Sequence, residues 1–259
     1  AIFGITKDEN GKRLVRNNET NLGDLCADAF RNAVNADIGY INGGGLRADI
    51  TAGDITVNDL LTVLPFNNSV VLAELSGQTI KDMMEMAMMN YPAEDGSFPH
   101  LSGLTFSVNT SIPSSVVLNE YGEFAGINGQ YRVYGIKVYN REAKAYESLD
   151  MNETYALAAS NYYLLEWGSG MKMLENAKVV QNDGILDVEA LEKHILENLG
   201  GTVGQDYAET KVNITFTDGE ISDNQDSIEN DEAQGMHTFI RFLIELICVF
   251  LRLVSGFLR

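Results

Sequence analysis

Apolar and polar positions follow two different periods along this chain, and the two periods predict a mixture of helices and strands. Apolar residues spaced three or four positions apart are typical of one buried helical face, and they occur at residues 22–35, 57–64, 77–90 and 187–199. Apolar runs or strict alternation are typical of strands, and they occur at residues 37–41, 69–75, 103–108, 131–139, 154–159 and 211–216. Because the elements interleave without the regular spacing of repeated βαβ units, we predict an α+β sandwich with its sheets inside and its helices outside.

Turn-forming and capping residues mark the ends of several predicted elements. Pro65 cannot continue the helix over residues 57–64 and restricts the residue before it, so we expect that helix to stop there. Asp187 is predicted to cap the helix over residues 187–199. Residues 111–130 follow neither period, and they are predicted to form a hairpin-like excursion between two strands.

Three consecutive glycines, Gly43–Gly45, follow the predicted buried strand over residues 37–41. Since glycine has no Cβ, the backbone can turn sharply here and another group can lie against it. Asn42 supplies an amide on one side of the turn and Arg47 a guanidinium on the other. The residues allow two interpretations: a tight turn with a solvated arginine, or a site that grips a polar, anionic ligand.

The overall composition is that of an ordinary globular protein, with 45% apolar and 21% charged residues. The formal net charge is −19, and this excess of acidic residues argues against nucleic-acid polymers as partners, because phosphate backbones require many Lys and Arg. A small anionic ligand is still allowed, since nearby arginines act over a short screening length whatever the net charge.

Residues able to perform catalysis or hold a metal are scattered in this sequence. Cys26 lies on the apolar face of the first predicted helix and is predicted to be a core residue, while Cys248 lies far away in the C-terminal segment. His100, His194 and His237 are not close to any cluster of carboxylates, and we expect them to be surface or helix residues. With no nucleophile elbow, Cys-His pair or phosphate loop, we predict no catalytic residue, metal or cofactor in this chain.

The C-terminal part of the chain differs from the rest. Residues 218–233 are rich in acidic residues without Lys or Arg, which predicts a flexible linker. Residues 234–259 are mostly apolar and predict an amphipathic helix with its charges on one narrow face: Arg241, Glu245, Arg252 and Arg259. We consider three roles for it: a helix lying in a membrane surface, packing on the domain or on a second copy, and a membrane span. A span needs ~20 apolar residues without such charges, so the interfacial role is favoured.

Four segments match a known family in order and spacing. They are E-T-N-L-G-D at 19–24, N-G-G-G-L-R at 42–47, L-P-F-N-N at 64–68, and S-N-Y-Y followed by W-G-S-G within 160–170. Together they resemble the C-terminal, substrate-binding domain of the 5'-nucleotidase, UDP-sugar hydrolase and 2',3'-cyclic-nucleotide phosphodiesterase family. The resemblance covers about residues 10–217, and it implies a layered α/β/β/α sandwich for a domain over residues 1–217.

The resemblance implies roles for the glycine turn and its surroundings in substrate binding. Arg16 and Arg47 match arginines that contact the substrate phosphate in this family. Asn42 matches the residue that touches the base, and Gly44 in the same turn belongs to the predicted substrate site. The expected ligand is therefore a nucleotide or nucleoside.

Two aromatic side chains sandwich the nucleobase in the family, and the matching residues here are Phe66 and Tyr163. The segment around Tyr163 departs from the family pattern, because Ser169 stands where an Asp grips the ribose hydroxyls and Met171 where an aromatic residue is usual. A carboxylate accepts hydroxyl hydrogen bonds more strongly than a neutral hydroxyl does, by ~1 kcal/mol or more. We therefore expect weakened or rearranged ribose recognition, with Ser169 in the site and Glu166 as a substitute acceptor.

The hydrolytic chemistry of the family is not predicted in this chain. Relatives hold divalent metal ions in an N-terminal metallophosphoesterase domain with D-x-H and G-N-H-[ED] motifs, and these motifs are absent from the sequence. The chain begins at Ala1 without a Met, which leads us to expect a fragment or a processed product of a larger protein.

Three functions are consistent with these observations. The first is the specificity domain of an extracellular or cell-surface nucleotide phosphohydrolase of the bacterial cell envelope, whose partner is a metallophosphoesterase domain. The second is a non-catalytic surface module that has diverged from nucleotide recognition, as Ser169 and Met171 would permit. The third is a membrane-tethered structural spacer.

Overall fold

The computed structural model describes residues 11–182 and 184–219, which contain five α-helices and eleven strands. The helices are α1 (Asn21–Ala33), α2 (Val57–Val63), α3 (Gly77–Ala87), α4 (Asn161–Leu164) and α5 (Asp187–Lys193). The strands are β1 (Ile38–Asn42), β2 (Val70–Ser76), β3 (Pro99–Ser102), β4 (Leu104–Asn109), β5 (Val116–Leu118), β6 (Phe124–Ile127), β7 (Val133–Asn140), β8 (Ala145–Ser148), β9 (Thr154–Ser160), β10 (Lys178–Gln181) and β11 (Ile214–Thr217). Short 3-10 helices add Leu14–Arg16, Gly168–Gly170, Lys172–Asn176 and Gln205–Tyr207.

The parts of the chain outside this description include several sequence predictions. The acidic linker beyond Gly219, the amphipathic helix over residues 234–259, His237 and Cys248 all lie outside the described residues. The described residues belong to one compact unit that ends at Gly219. In the portion that the structure describes, no helix has the length and apolar character needed to cross a membrane.

The strands form two main sheets and a hairpin. The larger sheet has the order β10-β2-β9-β1-β3, in which β1 and β9 run parallel and the other neighbours antiparallel. The smaller sheet has the order β11-β4-β7-β8, with β11 parallel to β4. The predicted excursion over residues 111–130 contains the antiparallel hairpin of β5 and β6.

Both faces of the larger sheet are buried, which explains the nearly continuous apolar runs of its central strands. One face packs under α1, α2 and α5 in a core that includes Cys26, as predicted. The other face packs against the smaller sheet and α3, whose Met83 and Met84 are fully buried. The predicted α+β fold with packed sheets is therefore confirmed.

The sequence prediction missed three strands, and the apolar pattern is weak in each of them. β3 begins with Pro99 and includes a buried histidine, His100, so it does not look like an apolar run. β8 and β10 are short edge strands that leave most of their residues exposed. Edge strands do not need a buried face, and their sequences therefore lack the usual alternation.

The cap predicted for α5 is wrong by one residue. Leu186 is the N-cap, and its backbone N–H donates to the carboxylate of Glu189 over 3.0 Å. Asp187 is the first helical residue, and its carboxylate accepts a hydrogen bond from the backbone N–H of Val188 over 2.8 Å. The carboxylate predicted to cap the helix therefore belongs to its first residue, where its negative charge still interacts favourably with the positive end of the helix dipole.

Candidate functional site

The glycine turn at the end of β1 is wedged between two other segments of the chain. The backbone N–H groups of Gly43 and Gly44 donate to the carbonyl oxygens of Phe98 and Gly96, both over 2.8 Å. On the opposite side, a Cβ on Gly43 would lie 2.8 Å from the carbonyl carbon of Val15 and closer still to its oxygen. Gly43 is therefore required, because other backbone occupies the space that a side chain would need.

Arg16 ends the 3-10 helix that packs on this turn. Its carbonyl oxygen accepts a hydrogen bond from the N–H of Asp95 over 2.9 Å, which ties it to the loop before β3. Arg13, just before the same short helix, forms an ion pair with Glu94, with the charged atoms 3.0 Å apart. Burial lowers the pKa of Arg16, and the positive charges of Arg13 and Arg47 lower it further. The negative charges of Glu94 and Asp95 act in the opposite direction on this pKa, and an anion between Arg16 and Arg47 would further relieve the repulsion between the two arginines.

Arg47 lies on the exposed side of the turn and is held by two contacts. Its guanidinium donates to the carbonyl oxygen of Gly44 over 3.3 Å. The guanidinium carbon also lies 5.7 Å from the centre of the Phe66 ring, a distance at which a cation is attracted to an aromatic face. The predicted phosphate contact and the predicted stacking ring are therefore direct neighbours.

A cavity of 420 Å³ opens beside the turn. Its lining residues are Asn42, Gly44, Gly45, Phe66, Asn68, Gly96, Tyr162 and Ser169. This volume lies in the range of small-ligand sites, and the lining combines two aromatic rings with neutral hydrogen-bonding groups. Four of the predicted site residues, Asn42, Gly44, Phe66 and Ser169, meet in this cavity.

The structure does not place Tyr163 at the cavity, and its neighbour Tyr162 lies there instead. Tyr163 is fully buried, with its ring edge-on to Tyr40 at 5.2 Å between centroids. Tyr162 has 38% of its surface exposed and lines the cavity together with Phe66, which is 55% exposed. Successive residues of a helix point about 100° apart, so only one of two adjacent tyrosines of α4 can face the core.

The loop after α4 holds Tyr162 in place. The backbone N–H of Ser169 donates to the Tyr162 hydroxyl over 3.0 Å, and the ring packs so closely on Gly168 that a Cβ there would overlap it. Ser169 has a φ of +56°, and its hydroxyl lies 3.2 Å from that of Tyr163. Ser169 therefore links the buried tyrosine to the cavity wall.

Glu166, the predicted substitute for the missing carboxylate, is turned towards α4. Its Oε1 accepts a hydrogen bond from the side-chain amide of Asn161 over 3.0 Å. The carbonyl oxygen of that amide in turn accepts from the backbone N–H of Ser69 over 2.8 Å. Glu166 does not line the cavity, because its carboxylate is engaged by Asn161.

Sequence reasoning missed four residues that line the cavity. Gly45, Asn68 and Tyr162 stood in the quoted motifs, so they could have been considered there. Gly96 carried no signal in the sequence, because it reaches the turn only through the pairing of β3 with β1. The side-chain amide of Asn42 donates to the carbonyl oxygen of Gly96 over 2.7 Å, which closes this side of the cavity.

A larger groove of 660 Å³ lies elsewhere, between residues 51–57 and residues 192–203. It contains no residue of the predicted site. The cavity at the glycine turn is therefore the better candidate, since it combines aromatic rings with nearby cationic groups in the manner expected for a ligand site.

Of the described histidines, His100 differs from the prediction of a surface or helix position, whereas His194 is a helix residue as predicted. His100 is fully buried in β3, and burial lowers its pKa to about 4. His194 is buried at the end of α5, where burial also lowers its pKa. Within residues 11–182 and 184–219, no group of three or more His, Cys, Asp and Glu side chains is arranged to hold a metal ion.

Comparison with known proteins agrees with the fold. Residues 3–176 match the family model described as 5'-nucleotidase, C-terminal domain. The trifunctional nucleotide phosphoesterase protein YfkN of Bacillus subtilis is 29% identical over 224 residues, 84% of this chain. A 5'-nucleotidase of Vibrio parahaemolyticus is 31% identical over 150 residues, 58% of this chain. The crystal structure of a 5'-nucleotidase precursor from Thermus thermophilus superposes with a TM-score of 0.65 over 80% of this chain, at 27% identity.

The matched region is a minor part of each of these relatives. It spans 14% of the Bacillus protein, 26% of the Vibrio protein and 37% of the Thermus chain. The family model nevertheless covers more than half of the present sequence. This chain belongs to the 5'-nucleotidase C-terminal domain family.

Proposed function

We propose that this chain is the substrate-binding domain of a 5'-nucleotidase-type nucleotide phosphohydrolase. The observation that carries the proposal is the convergence of two aromatic rings and two arginines at the glycine turn. Phe66 and Tyr162 stack on the nucleobase, with Tyr162 in the role that the sequence assigned to Tyr163. Arg16 and Arg47 neutralise the phosphate.

The character of the cavity wall supports a nucleoside as its occupant. Aromatic stacking contributes ~1–3 kcal/mol per base, by analogy with single-stranded nucleic acids. Asn42, Asn68 and Ser169 offer neutral donors and acceptors suited to a base edge or a sugar hydroxyl. The uncharged nucleoside then lies in the cavity, and its phosphate lies towards the arginines.

Hydrolysis belongs in this proposal to a separate metallophosphoesterase domain of the same protein, where the family holds its divalent metal ions. The present chain supplies binding energy from a part of the substrate that does not react. Such remote binding is useful because it holds the phosphate in position for attack.

The setting proposed for the protein is extracellular or at the bacterial cell surface, where released nucleotides would be its substrates. The amphipathic pattern over residues 234–259 supports attachment to a membrane surface through a basic, otherwise apolar helix. The acidic segment over residues 218–233 would then separate the binding domain from that surface.

Isothermal titration of the full chain with adenosine tests the proposed aromatic clamp. We expect Phe66→Ala and Tyr162→Ala each to weaken adenosine binding about 5- to 100-fold, since each removes one stacking face. Tyr146→Ala is the matched control, because Tyr146 is 44% exposed but lies in β8, away from the cavity. Tyr146→Ala should bind adenosine as tightly as the parent chain does.

Two results would contradict the clamp. One is adenosine binding by Phe66→Ala that equals that of the parent chain. The other is an equal loss in the Tyr146→Ala control, which would indicate a general change in the protein. Folding of each variant is followed by its thermal unfolding midpoint, so that a loss of structure is recognised separately.

A non-catalytic surface module is the second candidate function. Ser169 stands at the position where the family resemblance implies a carboxylate. Its hydroxyl also lies within hydrogen-bonding distance of the buried Tyr163 hydroxyl, which competes with a sugar for it. A screen of nucleosides by thermal shift separates the two candidates. A bound ligand at 100 times its dissociation constant adds ~2.7 kcal/mol to stability, so a chain that no nucleoside stabilises favours the second candidate.

A further inference from the structure

His100 is a buried polar residue that the proposed function leaves unexplained. It lies in β3 opposite Ile41 of β1, one position before the pair that Asn42 forms with Pro99. The pairing therefore brings His100 next to the end of β1, where the glycine turn begins. A polar ring in a fully buried position needs a partner for its N–H.

The partner of this ring is the backbone just before Arg16. Nε2 of His100 lies 3.0 Å from the carbonyl oxygen of Val15. Since a carbonyl oxygen can only accept, the proton must be on Nε2 and the hydrogen bond runs from the imidazole to Val15. Burial lowers the pKa of His100 to about 4, so the ring is neutral near pH 7 and keeps this single donor.

The opposite side of the imidazole is closed by α1. A Cβ on Gly23 would lie 2.7 Å from Cε1 of His100 and closer still to Nδ1, so this part of the ring packs directly against the helix. Among the described residues Nδ1 has no hydrogen-bonding partner. The ring is thus fixed by packing, and its one hydrogen bond is directed at Val15.

The Val15 carbonyl is held from both sides, and it belongs to the peptide bond that joins Val15 to Arg16. His100 donates to its oxygen, while Gly43 of the glycine turn packs against the same group. A change in the orientation of this peptide plane rotates the backbone of Arg16 and moves its long side chain. The contact therefore couples β3 to the direction in which Arg16 projects.

We propose that His100 is a positioning residue for phosphate recognition, which fixes the Val15–Arg16 peptide and so aims Arg16 at the phosphate of the ligand. The proposal rests on the proposed function, in which Arg16 contacts that phosphate. His100 does not touch the ligand. It acts only through Arg16.

The test compares the affinity of the full chain for AMP with its affinity for adenosine, by calorimetry. The ratio of the two dissociation constants isolates the phosphate contribution, which a general loss of folding would not change selectively. We expect His100→Leu, which keeps the bulk and removes the donor, to bind adenosine like the parent. Its preference for AMP should fall roughly tenfold, the order expected for one charge-assisted hydrogen bond.

Two further variants make the test specific for the hydrogen bond. His100→Gln retains an N–H at a similar reach and should recover most of the AMP preference, whereas the shorter His100→Asn should not. Arg16→Ala should show the same loss as His100→Leu, and the double variant should lose no more than either alone, because both act through one contact. His194→Gln alters another buried histidine and should leave the ratio unchanged.

The possible results separate this inference from the proposed function. If adenosine and AMP bind but His100→Leu keeps the parental ratio, the inference is wrong and the proposed function stands. The inference is equally wrong if the losses of His100→Leu and Arg16→Ala add in full. If His100→Leu does not fold, an unchanged ratio in both His100→Asn and His100→Gln overturns the inference. A parent chain that binds neither ligand contradicts the proposed function and this inference with it.

Discussion

At the scale of single residues, the glycine turn depends on the absence of one side chain. Gly43 is enclosed by the Val15 carbonyl on one side, and its own N–H donates to Phe98 on the other. Val15 belongs to the short helix that bears Arg16, and Phe98 to the loop that leads into β3. Any side chain at Gly43 would therefore push apart the segments that carry Arg16, the proposed phosphate contact, and the cavity wall.

We expect Gly43→Ala to lower the free energy of unfolding by about 1–3 kcal/mol or more, because the added Cβ meets rigid backbone. Urea denaturation measures this change. In an adenosine titration, the folded Gly43→Ala variant should bind adenosine more weakly than the parent chain does. Gly204→Ala is the control, since a Cβ there has no neighbour within 4 Å and the φ of −96° suits any residue. A Gly43→Ala variant as stable as Gly204→Ala would show that the turn can yield.

At the scale of elements, α1 and the segment before it hold the last part of the domain through buried carboxylates. Glu19 accepts backbone hydrogen bonds from Asn213 and Ile214 over distances of 2.9 to 3.1 Å. Asp24 accepts one from the N–H of Lys211 over 2.8 Å. Strand β11 is thereby fastened beside β4, and the attachment depends on the protonation of these groups.

The pKa values of the two carboxyl groups point to an unusual pH dependence. Burial raises the pKa of Glu19 from its ordinary 4.5 to about 7, and it raises that of Asp24 from 3.8 to about 8. Asp28 behaves differently: burial opposes its ionisation, but Lys211 together with hydrogen bonds from Ser102 and Tyr207 holds its pKa below the ordinary value. Folding therefore takes up protons at Glu19 and Asp24 between about pH 4 and pH 8.

We expect the free energy of unfolding to fall as the pH rises from about 5 to about 8.5. The sign follows from linkage, because in this window the folded state binds more protons than the unfolded state at Glu19 and Asp24. The loss should amount to several kcal/mol, since each pKa unit of difference between the folded and the unfolded state corresponds to about 1.4 kcal/mol. Urea denaturation at several pH values measures it.

The double variant Glu19→Gln and Asp24→Asn tests whether these two groups cause the loss. It should show a flatter dependence on pH than the parent chain. Asp206→Asn removes an exposed carboxylate from the same C-terminal part of the domain and should leave the slope unchanged. A double variant with the parental slope would assign the dependence to other groups with a raised pKa, such as Asp187, whose pKa burial raises to about 6.

Whether a helix or strand could be predicted depends on whether its own residues, and not its partners elsewhere in the fold, determine it. The helices α1, α2 and α3 were predicted within a few residues, because their apolar faces repeat along the chain and their starts are capped by Thr20, Thr56 and Ser76. β3 was missed although it builds the site, because its identity as a strand comes from pairing with β1. Local pattern carries no information about such a partner.

At the scale of the whole molecule, a strongly acidic protein is proposed to bind an anionic ligand. The net charge of −19 repels phosphate at long range, but screening confines that repulsion to about 8 Å at physiological salt. The proposed function places the phosphate against Arg16 and Arg47, whose charges act at short range. The same charge makes binding to an anionic membrane depend on local basic residues at the C-terminal end.

We expect the full chain to cosediment with vesicles of phosphatidylcholine containing phosphatidylglycerol, through the segment over residues 234–259. Leu243→Glu combined with Leu246→Glu should abolish this binding, since it places charges on the predicted apolar face. Asp226→Asn changes the predicted linker and serves as the control. Dimerisation in size-exclusion chromatography without vesicle binding would support packing against a second copy instead.

The sequence by itself determined the fold class, the family and half of the residues that line the candidate cavity. Its periodic apolar positions and the segments at residues 19–24, 42–47 and 64–68 are local features, which are readable without knowledge of the partners. The family assignment and the α+β fold confirm what these features predicted.

The tertiary structure decided which side chains face the candidate cavity and what supports them. Tyr162 lines the cavity while Tyr163 enters the core, and Gly96 and His100 reach the glycine turn from more than fifty residues away. These outcomes depend on the rotation of a short helix and on the register of β1 with β3. Both are set by packing across the sheet, because burial favours one of two similar adjacent residues only when the rest of the core is in place.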